Sequence, residues 1–314
     1  MTKLLAVLGA TGQQGSAVVE YVINDPGLSK EYKVRAVTRT TDSAKAKSLR
    51  EKNVDVVQGD VKHRESLEKV FSGVHTLFAM TTPAGGERAV EDELNVIKTI
   101  ADVAVESGIE YIIFSTLPSV TDISGGKYRG VTPFDAKAKG EQYIRGLSIK
   151  SSFYCPGSFM ENFESQTFLA PQRDPNQADT WTLSRNMSPH TQMPLIDAVG
   201  DGGKFVGAIL ADPAKFEGKK ICAATKFYSW SEIASILSKH TGKKVVYKQE
   251  SNEDFAKSLP PPAAPIFIDY FSYIEDHGYF GPGGEEAVAW AVANARDKLS
   301  TFEEFLTAHP FKLS

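Results

Sequence analysis

An α/β architecture, a doubly wound parallel sheet with a smaller, discontinuous and mostly helical C-terminal subdomain, is predicted by three features of the sequence. Short β-branched runs alternate with helical patterns through the first half of the chain, a glycine-rich turn follows the first of those runs, and the alternation breaks off after Cys155 into proline-punctuated segments. The runs at 4–8, 34–38, 54–58, 76–80, 111–115 and 152–155 suit strands covered on both faces. Between them, Val18, Val19, Val22 and Ile23 form one helical stripe over 15–23, and Val90, Leu94, Ile97, Ala101, Ala104 and Val105 form another over 87–106. Right-handed crossovers between such units wind helices onto both faces of the sheet.

After Cys155 the rhythm changes, with Pro156, Pro171, Pro175, Pro189 and Pro194 close together. A helical segment at 197–210 and a strand-like one at 220–224 are expected to return to the main sheet, giving a principal domain of 1–155 plus about 190–225. The remainder, 156–189 and 226–314, reads as the smaller subdomain. It has a helix over 229–240, a short strand at 245–247, the breaker Pro260-Pro261-Pro262, and helices around 267–277 and 301–309. Thr301, followed three residues later by Glu304, has capping-box spacing.

Composition narrows the function. A chain of 314 residues with 41% hydrophobic and 24% charged residues has the makeup of a globular protein. A net charge of -4 argues against general nucleic-acid binding, which needs a concentrated basic face. The N-terminal apolar run is too short to cross a bilayer, so no membrane association is expected. With no signal peptide evident, Cys155 and Cys222 are expected to be reduced, in the cytoplasm or the nucleus. None of the six histidines has metal-ligand spacing and the two cysteines are far apart in the chain, so no metal is expected.

The segment Gly9-Ala10-Thr11-Gly12-Gln13-Gln14-Gly15 lies between the first strand and the first helical stripe. In that context Gly9 permits the tight turn, Gly12 lets backbone amides approach phosphates, and Gly15 lets the helix pack closely on the strand. The helix N-terminus then holds the pyrophosphate of a nicotinamide dinucleotide in a Rossmann-type domain. The second strand ends in Arg39, where a 2′-phosphate would sit, with Lys45 and Lys47 adding positive charge. NADP(H) is therefore expected in preference to NAD(H), and Asp42 nearby leaves weaker NAD(H) binding open. Asp60, with Val61 beside it, is placed to meet the adenine, and Thr81-Thr82-Pro83 to line the cofactor at the carboxyl edge of the sheet. Ordinary turn chemistry is the alternative for both.

The catalytic side is incomplete. No Tyr is followed four residues later by Lys, the pair that short-chain reductases use to donate a proton. The segment 131–141 puts Lys137 in the lysine position but Pro133, which has no proton to give, in the tyrosine position. Ser115 at the end of the fifth strand either polarises a carbonyl or is a plain strand-end hydroxyl. Lys137 either bonds the nicotinamide ribose, acts as an acid or base, or is a surface lysine.

Together the glycine loop, the Arg39 strand end, Phe134-Asp135-x-Lys137, the run Cys155-Pro156-Gly157-Ser158-Phe159-Met160-Glu161-Asn162-Phe163 and the closing Thr301-Phe302-Glu303-Glu304-Phe305-Leu306 resemble the NmrA-like family of atypical short-chain dehydrogenase/reductase proteins. Members include fungal nitrogen-metabolite repression regulators and NADPH-sensing proteins. The resemblance implies that Gly9 to Gln14 hold the pyrophosphate, that Arg39, Thr40 and Ser43 lie at the 2′-phosphate end, and that Asp60 and Val61 meet the adenine. It places Thr81, Thr82, Pro83, Lys137 and the residues Phe159, Met160, Glu161 and Asn162 around the ribose and nicotinamide. Many relatives carry a His where Pro133 stands, so this chain lacks even that replacement donor. Two functions follow from the resemblance. One is an NADP(H)-binding sensor of redox state that gates a regulatory protein partner, with 81–88 and 125–130 as moving loops. The other is an NADPH-dependent reductase of a quinone or flavonoid-like aromatic that relies on Lys137.

Overall fold

The computed structural model describes residues 2–310, 312 and 313. All six expected strands form, as β1 (Lys3–Leu8), β2 (Tyr32–Thr38), β3 (Asp55–Gln58), β4 (Thr76–Ala79), β5 (Tyr111–Ser115) and β6 (Lys150–Pro156). The strand Lys220–Ala223 adds a seventh beside β6, and the order across the sheet runs from it through β6, β5, β4, β1 and β2 to β3. Every pairing is parallel. Because the chain winds outward from β1 to β3 and then restarts at β4 on the other side, the order reverses between β1 and β4. A crevice opens there at the carboxyl ends of the strands.

Alternation along each central strand divides the core. Leu5 and Val7 of β1, with Phe78 and Ile113, face the helices Gln13–Asn24 and Gly202–Ala211 through Val18, Val19, Val22, Phe205 and Ile209. Ala6 and Leu8, with Leu77 and Ile112, face the helices Arg64–Phe71, Ala89–Glu106 and Thr132–Arg145 through Leu67, Val70, Ile97 and Ile144. Each fully buried aliphatic or aromatic side chain contributes about 1.5–3 kcal/mol, so the two layers fix the strand ends that carry the crevice.

The segment after β6 differs in detail from the expectation. Its second helix begins at Gly202, not at 197, because Asp197 accepts the Gly200 amide at 2.6 Å and Asp201 accepts the Ser300 amide at 2.7 Å, local bonds that favour a turn over a helix. Beside its helices the smaller part holds two three-stranded sheets, one of Ser158–Phe159, Gln192–Ile196 and Lys226–Ser229, the other of Gln172–Arg173, Thr180–Arg185 and Lys244–Gln249. The helix Gly284–Asn294 packs against the edge strand Lys220–Ala223, so chain beyond 225 also covers the main sheet. Capping boxes start the helices Trp230–Thr241, at Ser229 with Glu232, and Phe302–Ala308, at Thr301 with Glu304. Aromatic residues, including Trp181, Trp230, Phe271, Tyr273 and Phe302, dominate the core of the smaller part. Among the described residues no helix is long and apolar enough to cross a membrane, and no group of three or more His, Cys, Asp and Glu side chains gathers to hold a metal ion.

Candidate functional site

The glycine loop sits at the head of β1 with Gly9 at φ +63°, a left-handed conformation that favours glycine. Its neighbours also exclude a side chain. A Cβ on Gly15 would lie 2.3 Å from the Gly9 carbonyl oxygen, so helix and strand meet backbone to backbone. Gly12 is the N-cap of Gln13–Asn24, and among the described residues no side chain caps that helix, which leaves first-turn amides and the positive dipole end facing the crevice. The loop is tied to β2 as well: the Ala10 amide donates to the Val37 carbonyl at 3.2 Å, and the Thr11 and Thr38 hydroxyls lie 3.2 Å apart. These ties fix the distance from the helix tip to Arg39, and the cradle fits a dinucleotide pyrophosphate.

Arg39, just past the end of β2, is exposed, and among the described residues no carboxylate pairs with its guanidinium. It lines a shallow open depression with Gln58, Asp60, Lys62, His63 and Lys69. Lys62, Arg64 and Lys69 add positive charge to this depression, and Lys45 and Lys47 do not line it. Asp60 is held by its own turn, its carboxylate accepting the Lys62 amide at 3.0 Å and its amide donating to Ser66 Oγ at 3.0 Å. Val61 is half-buried against the core beneath Arg64–Phe71. Thr40 is exposed, and Ser43 caps the helix Ala44–Glu51 by accepting the Ala46 amide at 3.3 Å. The Ser43 hydroxyl is thus occupied by a structural bond.

Across the crevice the carboxyl ends of β4, β5 and β6 open into a cavity of about 450 Å³. Gln14, Thr81, Thr82, Pro83, Ser115 and Lys137 line it on the side of the glycine loop. Ser115 donates to Gln14 Oε1 at 2.6 Å, joining β5 to the first helix. Lys137 is 5% exposed and forms an ion pair with Glu93, itself 2% exposed, while Thr81 donates to the same Glu93 oxygen at 2.6 Å. Lys137 is therefore no surface lysine: a buried carboxylate compensates its charge, as burial of an ion requires. Glu93 escaped the sequence reading. Its signal was available, since it occupies the buried stripe of Ala89–Glu106 between Ala89 and Ile97, four residues from each.

The opposite walls are aromatic, with Phe134, Phe159, Phe163, Phe267, Tyr270 and Tyr279 lining the cavity. Pro133 lines it too and leaves the tyrosine position without a phenol, yet Tyr270 and Tyr279 bring two phenols from the C-terminal region. Burial pushes both hydroxyls above the ordinary tyrosine range, which keeps them protonated, and Tyr279 donates to the Pro156 carbonyl at 3.1 Å.

The run 159–162 divides. Phe159 and Asn162 line the cavity. Met160 and Glu161, expected beside them, do not. The Met160 amide bonds the Ile196 carbonyl at 2.9 Å and its side chain is fully buried in the aromatic core. The Glu161 carboxylate accepts the Ala198 and Val199 amides, at 3.2 and 2.9 Å, and burial raises its pKa. The chain turns after the two-residue strand Ser158–Phe159, so consecutive side chains point to different places.

Comparison with known proteins places the whole architecture. The model of the NmrA-like family matches residues 1–306. A Dictyostelium discoideum protein described as an NmrA-like family domain-containing protein is 29% identical over 319 residues, covering 100% of both chains. A Cladobotryum protein described as an NmrA-like family domain-containing oxidoreductase is 28% identical over 262 residues, covering 79% of this chain and 76% of its own. The fold is shared with NmrA, described as a negative transcriptional regulator. Its structure in complex with NAD matches with a TM-score of 0.81 at 22% identity, covering 99% of this chain and 98% of that one. Its structure in complex with NADP matches with a TM-score of 0.78 at 23% identity, covering 97% and 94%.

Proposed function

This chain belongs to the NmrA-like family, and we propose that it binds a nicotinamide dinucleotide, NADP(H) in preference to NAD(H), and reduces an aromatic small molecule held in the adjoining cavity. The observation that carries this reading is the continuity of the cleft. The uncapped helix tip at Gly12 and the aromatic cavity share one wall, formed by Gln14, Thr81, Ser115 and Lys137. The glycine loop would hold the pyrophosphate and Arg39, with Lys62 and Lys69 nearby, a 2′-phosphate.

When bound, the reduced dinucleotide supplies a hydride, two electrons with one proton, and the acceptor takes a second proton from water to complete a two-electron reduction. The chain itself orients the partners. Glu93 and Thr81 fix the Lys137 ammonium at the shared wall, where it can bond a ribose hydroxyl or an acceptor oxygen, and the aromatic walls hold the ring faces of the acceptor. A quinone-type acceptor suits a site whose tyrosine position holds Pro133, because its reduction depends less on a protein acid. The names of the Cladobotryum relative and of NmrA, an oxidoreductase and a dinucleotide-bound regulator, agree with the two halves of the proposal.

The same proline favours a second reading, a redox sensor without turnover that gates a protein partner. In that reading the segment 125–130 moves together with the helix Ala264–His277, since Asp269 accepts the Gly130 amide at 2.7 Å and Asp276 accepts the Tyr128 hydroxyl at 2.6 Å. Differential affinity of two conformations for the oxidised and reduced dinucleotide would drive it. Loss of NADPH absorbance with a panel of quinones and conjugated aromatics, abolished in Lys137→Ala, is the result expected of the reductase. Tight NADPH binding with no consumption across the panel would replace it with the sensor.

A further inference from the structure

The cavity contains a charge that the proposed chemistry does not use. Arg185 ends the strand Thr180–Arg185 and lines the cavity, yet it is only 3% exposed. Two of its donors meet main-chain carbonyls, Nη1 to Ser184 and Nη2 to Leu169, each at 2.6 Å. Among the described residues its Nε finds no hydrogen-bond partner. The guanidinium lies over the rings of Trp230, at 4.7 Å, and Phe271, at 5.2 Å. Among the described residues no carboxylate forms an ion pair with it, in contrast to Lys137, whose counter-charge is built in.

A buried cation without an anion is unfavourable, and ring faces and neutral carbonyls compensate it only in part. The missing charge has to come from what enters the cavity. We propose that the ligand is a planar aromatic molecule bearing an anionic group, a carboxylate or an acidic enol or phenol, and that Arg185 is the group that meets it. The aromatic walls select the ring system and a planar guanidinium selects a planar anion. A small inorganic anion would leave those walls bare. This deepens the proposed function by naming its substrate class, and it rests on the cavity being the ligand side of that site.

The test compares 2-naphthoate with 2-naphthamide, a neutral molecule of the same shape, by quenching of tryptophan fluorescence with and without saturating NADP+. The expected result is at least tenfold tighter binding of the naphthoate by the wild-type protein. The preference should collapse in Arg185→Met and survive largely in Arg185→Lys, whereas a purely structural arginine would change both ligands alike. Equal affinities in the wild-type protein, no naphthoate binding at all, or a preference that persists in Arg185→Met overturns the inference. If Arg185→Met does not fold, the wild-type ratio and Arg185→Lys decide. A naphthoate preference without any NADP+ binding would defeat only the dinucleotide reading, and NADP+ binding without the preference only the role of Arg185.

Discussion

The two sides of the cleft are built in different ways. On the side proposed for the dinucleotide, the cradle is main chain: glycines without side chains, amides at a helix tip, and a strand end held at fixed distance by the Ala10 to Val37 bond. On the cavity side the groups are side chains brought from distant segments, Glu93 to Lys137, Arg185 to Trp230 and Phe271. The first is a rigid device for a ligand common to many proteins. The second can be refitted residue by residue, so the specificity of the proposed reductase would reside there.

The largest expected effect breaks the cavity side. Glu93→Ala leaves the Lys137 ammonium buried and unpaired and should lower stability by about 3–5 kcal/mol in urea denaturation, while the paired apolar replacement Glu93→Leu with Lys137→Met should recover most of it. An unchanged urea midpoint for Glu93→Ala would show that the pair is solvated. Next, Gly15→Ala forces a Cβ to within 2.3 Å of the Gly9 oxygen and should cost about 1–3 kcal/mol with loss of NADPH binding. Gly12→Ala, whose Cβ would lie 3.2 Å from that oxygen, should fold nearly normally and still weaken NADPH in a calorimetric titration. Arg39→Ala should weaken NADPH by about 1.5–3 kcal/mol and leave NADH nearly unchanged. Equal losses would mean that Arg39 does not read the 2′-phosphate. Smallest, Thr301→Ala removes a capping box of the last helix and should lower stability by about 1 kcal/mol without altering dinucleotide affinity, a separation that thermal melts with and without NADP+ would measure.

The same contrast explains what the sequence reveals. The strand, loop and helix over 3–24 are contiguous, and their chemistry is that of glycine at fixed offsets, so a local pattern suffices. The six strands of the first half were legible too, β4 and β5 as runs buried throughout and β2 and β3, towards the sheet edge, by their β-branched residues. The small sheets after Cys155 were not, since strands as short as Ser158–Phe159 carry no period. Lys137 could be named from its helix, but Glu93 lies 44 residues away, and only an acid on an apolar helical stripe hints at the pair. Arg185 gives a parallel hint: Trp181, Leu183 and Arg185 share the buried face of one strand, an arginine where the alternation calls for an apolar residue. Cys155 and Cys222, remote in the chain, lie opposite each other on β6 and its edge neighbour. Register of that kind follows from the fold and from no local motif.

The claim that ties both sides together is that dinucleotide and aromatic ligand occupy one continuous cleft in contact with each other. Magnetisation transfer between the two bound ligands, NADP+ and 2-naphthoate, measures this directly by NMR. Cross-peaks between the nicotinamide ring protons and the naphthoate ring protons, lost in Gly15→Ala, are the expected result. Both ligands bound at saturation with no transfer between them would place them apart and contradict the account.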